Sequence, residues 1–258
     1  MKKIKMSQLL NYKLEGTGQT LVLIHGLFGN LDNLGILSRD LAKDHQVLNV
    51  DLRNHGLSFH SNTHDYQSMA MDVVQLLNHL ELSHVTLIGH SMGGKVAMKI
   101  AEISPESLNK LIILDMAPVE YKIHRHENVL NGLQAVIDVK PNSRREAIET
   151  LANYIQIDGV RQFLAKSLYR DEDSMKWRFN VDSLIKNYWE ILGWTTLEPV
   201  FTPTLFVKGA DSDYLLAEHQ PLVKQQFPNS KAHIIAKTGH WLHAEKPKEV
   251  LRVIRNYL

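Results

Sequence analysis

The residues best suited to chemistry lie in Gly89-His90-Ser91-Met92-Gly93, which fits the pattern G-x-S-x-G. A serine hydroxyl is a poor nucleophile until a base takes its proton. Acyl transfer on serine therefore needs a base, an acid that orients the base, and N–H donors for the oxyanion that forms. The pentapeptide alone is a weak signal, since roughly one chain in ten of this length would carry it by chance. Its context strengthens it. The apolar run Val85-Thr86-Leu87-Ile88 precedes it and a helical pattern over 92–104 follows, which is the strand–turn–helix setting the motif requires. So sharp a turn leaves no room for side chains two positions either side of the serine, hence Gly89 and Gly93, with Gly94 adding space.

Fourteen histidines compete for the role of base. His240 stands apart because Thr238-Gly239-His240-Trp241 follows the last apolar run and precedes the final helix, where a loop can lower an imidazole onto Ser91 Oγ. His55, His60 and His64 fall in a polar loop and are expected to be solvated. His124 and His126 have the spacing of a metal pair, but no carboxylate-rich segment accompanies them. His25 is expected to shape its loop through hydrogen bonds.

Three aspartates compete for the acid. The usual place, the third residue after the glycine that follows the run 204–207, lies in Gly209-Ala210-Asp211-Ser212-Asp213. That third residue is Ser212, which cannot ionise, and Asp211 and Asp213 flank it out of register. Asp115 instead ends the run Leu111-Ile112-Ile113-Leu114. We take Asp115 as the partner of His240, with the Ser212 hydroxyl as an added hydrogen-bond partner, Asp211 as the alternative acid and Asp213 behind it. The amides of Met92, at the start of its helix, and Leu27, in His25-Gly26-Leu27-Phe28-Gly29, are the expected oxyanion donors.

Positioning these groups falls to short apolar runs at 21–24, 47–50, 85–88, 111–114, 204–207 and 232–235, alternating with helical patterns at 33–44, 66–81, 92–104, 215–227 and 247–257. Wholly apolar strands alternating with helices predict an α/β fold, a mostly parallel sheet with helices on both faces. Between about 118 and 198 the alternation stops. That stretch reads as helices only, roughly 123–138, 143–157, 159–169 and 181–193, and is expected to be a cap inserted into a core of 1–117 and 199–258. Trp177, Trp189 and Trp194 lie in it and are expected to pack the cap onto the core, with lining of a substrate pocket as the alternative.

The 258 residues, 44% hydrophobic and 22% charged, suffice for one large domain with an insertion. A net charge of +1 predicts neither nucleic acid nor an anionic membrane as partner. The basic opening Met1-Lys2-Lys3-Ile4-Lys5 lacks a following apolar stretch and reads as a solvated end, and no run is long enough for a membrane span. With no cysteine, disulfides and thiolate chemistry are excluded, and cytoplasm is the expected location. Monomer and homodimer are both compatible with the chain.

Together, His25-Gly26-Leu27-Phe28-Gly29, the segment 51–58 (Asp-Leu-Arg-Asn-His-Gly-Leu-Ser), Gly89-His90-Ser91-Met92-Gly93 and Gly239-His240-Trp241 resemble the α/β-hydrolase superfamily along the whole chain. More narrowly, 27–34, Arg53-Asn54-His55-Gly56 and Asp115-Met116-Ala117-Pro118-Val119 resemble the bacterial YbfF-type esterases. The resemblance implies an acid at the end of the strand holding Asp115 and a serine in the loop of Ser212. It also implies hydrolysis of short- to medium-chain acyl esters, or of acyl thioesters such as acyl-CoA, without a cofactor. The segment 51–58 is read as shaping the rim of the site. Dehalogenase and epoxide-hydrolase chemistry would need an aspartate where Ser91 stands. C–C bond hydrolases, lactonases and haloperoxidases use the same triad and are the competing enzymes. A non-catalytic ligand sensor need not keep the full set of groups. Dinucleotide binding is disfavoured, since Gly16 and Gly18 precede a strand and no G-x-G-x-x-G occurs.

Overall fold

The computed structural model describes residues 8–258, so the basic opening 1–5 lies outside it. In chain order the elements of the first half are β1 (Tyr12–Glu15), β2 (Thr20–Ile24), α1 (Gly35–Leu41), β3 (Gln46–Val50), α2 (Tyr66–His79), β4 (Val85–His90), α3 (Met92–Ile103) and β5 (Leu108–Leu114). An insertion follows, with α4 (Glu127–Val139), α5 (Arg144–Ala152), α6 (Asp158–Ala165), β6 (Leu168–Asp171), β7 (Ser174–Trp177), α7 (Val181–Lys186) and α8 (Tyr188–Leu192). The chain then returns through β8 (Thr204–Gly209), α9 (Gln220–Gln226), β9 (Ser230–Ile235), α10 (Leu242–Glu245) and α11 (Pro247–Tyr257).

The main sheet runs β1-β3-β2-β4-β5-β8-β9 and is parallel except for the antiparallel edge strand β1. The five central strands β3, β2, β4, β5 and β8 are mostly apolar because both faces are covered, and the two-residue period divides their side chains between two cores. Val22, Ile24, Leu87, Ile113 and Phe206 point to the face covered by α2, α3 and α9. Leu21, Leu23, Ile88, Ile112 and Val207 point to the face covered by α1 and α11. Strand order reverses between β2 and β4, and at such a switch point a crevice opens beyond the carboxyl ends of the strands. The loop 25–29 and Ser91 emerge there side by side.

The insertion is helical, as expected, with one exception. β6 and β7 form a two-stranded hairpin where the periodicity suggested the end of a helix and a loop. Four-residue strands are too short to separate from a helical turn by pattern. The expected helix over 181–193 is also interrupted, because the Asn187 side chain bonds to Ser183 O at 2.8 Å between α7 and α8. The edge strand β1, Tyr12-Lys13-Leu14-Glu15, is largely exposed, and its four alternating residues are too few to mark a strand.

The insertion leaves and re-enters the core at one place. Tyr121 N–H donates to Leu192 O at 2.9 Å, Tyr66 Oη to Ile191 O at 2.6 Å and Gln226 Nε2 to Pro118 O at 2.9 Å. Lys95, fully buried on α3, donates to Gly193 O at 3.0 Å and lies over the rings of Tyr66, Tyr121 and Trp194. Trp194 packs the insertion onto the core as expected, through its Nε1 bond to Gln226 Oε1, whereas Trp177 bonds Leu133 O within the insertion and Trp189 is exposed. Among the described residues no helix is long and apolar enough to cross a membrane.

The backbone approach at Gly93 is close, and a Cβ there would overlap the carbonyl oxygens of Ile24 and His25. Gly93→Ala should therefore cost about 3 kcal/mol or more. Gly159→Ala, with open space around it, should be neutral or stabilising. Urea denaturation of the two variants checks this, and equal midpoints would contradict it.

Candidate active site

Ser91 stands between β4 and α3 with φ 53° and ψ −122°, a left-handed backbone that β-sheet pairing and helix packing must hold in place. Its N–H donates to Leu114 O at 3.0 Å and its carbonyl accepts from Gly94 N at 2.8 Å. A Cβ at Gly89 would overlap the Gly93 carbonyl, so both glycines of the pentapeptide are sterically required. The Oγ lies 2.9 Å from His240 Nε2.

His240 is held from two sides. Its Nδ1 lies 2.7 Å from Asp115 Oδ2, so Nδ1–H donates to the carboxylate and the Nε2 lone pair faces the serine. The Tyr214 ring stacks on the imidazole, centroid to centroid 3.8 Å and 19° from parallel. Asp115 is completely buried, and its carboxylate takes two further bonds, from the Ser212 hydroxyl to Oδ2 and from Gly209 N–H to Oδ1 at 3.0 Å. The structure thus brings Ser91, His240, Asp115 and Ser212 together. It turns the other two aspartates away: Asp211 is exposed, and Asp213 pairs with Arg125 at 2.6 Å. Tyr214 and Arg125, whose guanidinium lies 4.6 Å from the Tyr214 ring centre, were not anticipated. Tyr214 occurs in an irregular segment where no period marks an inward side chain, and Arg125 precedes α4, which begins only at Glu127 and not at the expected 123.

A cavity of about 410 Å³ opens on Ser91 and His240. The core contributes Leu27, Phe28 and Trp241 to its wall, and the insertion contributes Val129, Ile157, Val160 and Phe163, so the lining is mainly apolar. Of the four tryptophans only Trp241 lines it, and Trp177, Trp189 and Trp194 do not. Met92 is the first residue of α3, where backbone N–H groups have no intrahelical acceptor, and Leu27 lies in the loop after β2.

That loop is fastened from behind by histidines. His25 Nδ1–H donates to Gly26 O at 2.8 Å, and Nε2 accepts Leu52 N–H at 3.1 Å. His55 Nδ1–H donates to Arg53 O at 3.0 Å, and Nε2 accepts the N–H of Phe28, a residue at φ 61°. His25 shapes its loop as expected. His55 and His64, expected to be solvated, are instead fully buried, the His55 ring between two backbone groups and His64 Nδ1 at 3.4 Å from Asn54 Nδ2, whereas His60 is exposed. None of the described residues 51–58 lines the cavity. This segment braces the loop around Phe28 rather than forming the rim, and Asp51 Oδ1 accepts Leu31 N–H at 2.7 Å. His124 and His126 flank the Tyr188 ring, and among the described residues no group of three or more ligating side chains could hold a metal ion.

The sequence matches the alpha/beta hydrolase fold family over residues 19–247. The chain belongs to the α/β-hydrolase family. Within this family it is 42% identical over 238 residues to the esterase YbfF of Escherichia coli (strain K12), covering 92% of each chain. It is 32% identical over 260 residues to the sn-1-specific diacylglycerol lipase ABHD11 of Mus musculus, covering 96% of this chain and 85% of that one. Among solved structures, a marine microorganism esterase superposes with a TM-score of 0.94 at 36% identity, covering 98% of this α/β-hydrolase and all of the other.

Two outcomes are expected. Asp115→Asn should lower kcat on the order of 10⁴, while Asp211→Asn should stay near wild type. The reverse result in steady-state assays would move the acid to Asp211. The second concerns acid stability. Burial holds His64 down to about 3 and His126 and His243 to about 4, against 6.5 in the unfolded chain. Below pH 6.5 the unfolded chain therefore binds protons that the native state refuses. The stability these groups contribute is complete above 6.5 and lost toward 4 for His126 and His243 and toward 3 for His64, each accounting for up to about 1.4 kcal/mol per pH unit. Urea midpoints should fall steeply over that window, and a flat profile would contradict it.

Proposed function

We propose that this protein is a serine esterase that cleaves short- to medium-chain acyl esters, with acyl thioesters such as acyl-CoA as a second class, through an acyl-enzyme on Ser91. That it is a carboxylic ester hydrolase of the α/β-hydrolase family is supported by its esterase relatives at 36–42% identity. The observation carrying the reading is the line from Ser91 Oγ through His240 to the buried Asp115, at 2.9 and 2.7 Å, beneath a mainly apolar cavity of about 410 Å³. That volume falls in the range of small-molecule sites.

In the proposed reaction Ser91 Oγ attacks the ester carbonyl while His240 Nε2 takes its proton. The imidazolium lies against the Asp115 carboxylate, which the Ser212 hydroxyl and the Gly209 amide keep aimed at Nδ1. The amides of Met92 and Leu27 receive the oxyanion, the first assisted by the positive end of α3. His240 then protonates the leaving alcohol or thiol. The same base activates water to release the acid. No step calls for a cofactor. The acyl chain lies between the core, residues 1–117 and 199–258, and the cap, 118–198, whose apolar side chains accept it.

The test is turnover of p-nitrophenyl esters from acetyl to palmitoyl and of acyl-CoAs of matching length. Hydrolysis should fall by about 10⁶ in Ser91→Ala. Folded protein with no activity on any of them would overturn the esterase reading in favour of C–C bond or lactone hydrolysis, or of a ligand sensor.

A further inference from the structure

We infer that His90 is a positioning residue for the reaction proposed above: its Nε2–H holds the backbone carbonyl of His240, so the strand that presents the nucleophile also fixes the loop that presents the base. The inference rests on that proposed reaction.

His90 is the last residue of β4, directly before Ser91, and its Nε2 lies 2.9 Å from His240 O across 150 residues of sequence. A carbonyl oxygen only accepts, so Nε2 carries the hydrogen and Nδ1 is bare in the neutral ring. Burial, with His243 and His240 alongside, holds His90 well below the ordinary histidine range, so the ring stays neutral. The imidazole is wedged in place. His243 packs edge-on at 4.3 Å between centroids, the His240 ring is at 4.8 Å, and a Cβ added to Gly26 would come within 3.1 Å of Nδ1.

The grip complements what Asp115 and Tyr214 do. Those two hold the ring of His240, through Nδ1 and through its face, and neither contact fixes the main chain that carries it. His90 secures the carbonyl on the other side of the same Cα. Ring and backbone held together set the distance from Nε2 to Ser91 Oγ, and a misplacement of about 1 Å costs on the order of 10² in rate. The bond lies within the enzyme, so its loss should lower kcat and leave KM largely unchanged.

Two amides of similar polarity separate donation from space filling. In His90→Gln the side-chain nitrogen can stand where Nε2 stood, and in His90→Asn it reaches only as far as Nδ1. We would measure kcat and KM on the best p-nitrophenyl ester, the rate of Ser91 labelling by a fluorophosphonate, and Tm. His90→Asn should lose about 10- to 100-fold in kcat at nearly constant KM, with labelling slowed in parallel, and His90→Gln should keep most of the wild-type rate. Equal rates in the two variants would overturn the inference, as would a shared loss that follows Tm, which would make His90 a packing wedge only. Normal labelling of wild type beside an undiminished His90→Asn would sink this inference alone. Wild type that neither labels nor turns over any ester would sink the Ser91 reading, and this one with it.

Discussion

The backbone at Ser91 passes through φ 53° and ψ −122°, and a residue with a side chain held there costs about 1–3 kcal/mol. Everything around the site keeps the chain from relaxing out of it. β4 is paired on both sides, by β2 and β5, so the strand cannot swing. Gly89 and Gly93 let the turn close on itself, and Gly93 lets α3 begin against the carbonyls at the end of β2. The strain projects the serine hydroxyl over the carboxyl edge of the sheet and sets a fresh helix terminus directly beneath it.

The neighbouring strand repeats the device. Asp115, one residue past β5, also has a positive φ, 52°, and its N–H is secured to Val207 O at 2.8 Å. Nucleophile and acid therefore rise from adjacent strands as parallel side chains, and the base descends between them from the loop after β9. The buried carboxylate has no access to water, so its hydrogen-bonding capacity is met by the protein itself: the imidazole, the Gly209 amide and the Ser212 hydroxyl. With the acid on β5, the loop after β8 needs no ionisable group at that point, and a hydroxyl serves.

Much of this could be read from residue types. The five central strands of the sheet announced themselves as apolar runs, because a strand covered on both faces has few polar positions to blur it, and β9, largely exposed, was marked by Ile234 and Ile235. Ser91 and His240 were legible because their neighbours obey steric and topological rules. Asp115 was legible as a carboxylate ending an apolar strand. What stayed hidden depends on three-dimensional proximity without periodicity. Tyr214 stacks on the base from an irregular loop, and Arg125 reaches the same place from another. The buried histidines were misjudged because their segment is polar in composition. The His55 ring replaces water for a backbone amide, which composition cannot register. The hairpin β6–β7 was missed because four residues make too short a window for a period.

The pairing of Tyr121 with Leu192 has an effect on how the fold can vary. A segment whose two ends are already hydrogen-bonded presents the core with a closed stem, whatever lies beyond it. Its closure entropy grows only logarithmically with length, by about 0.6 kcal/mol for each doubling. The sheet and its strained turn are thus thermodynamically insulated from the size of what is grafted onto that stem. A lineage could lengthen, shorten or replace the covering above the serine while the machinery beneath it kept the same geometry.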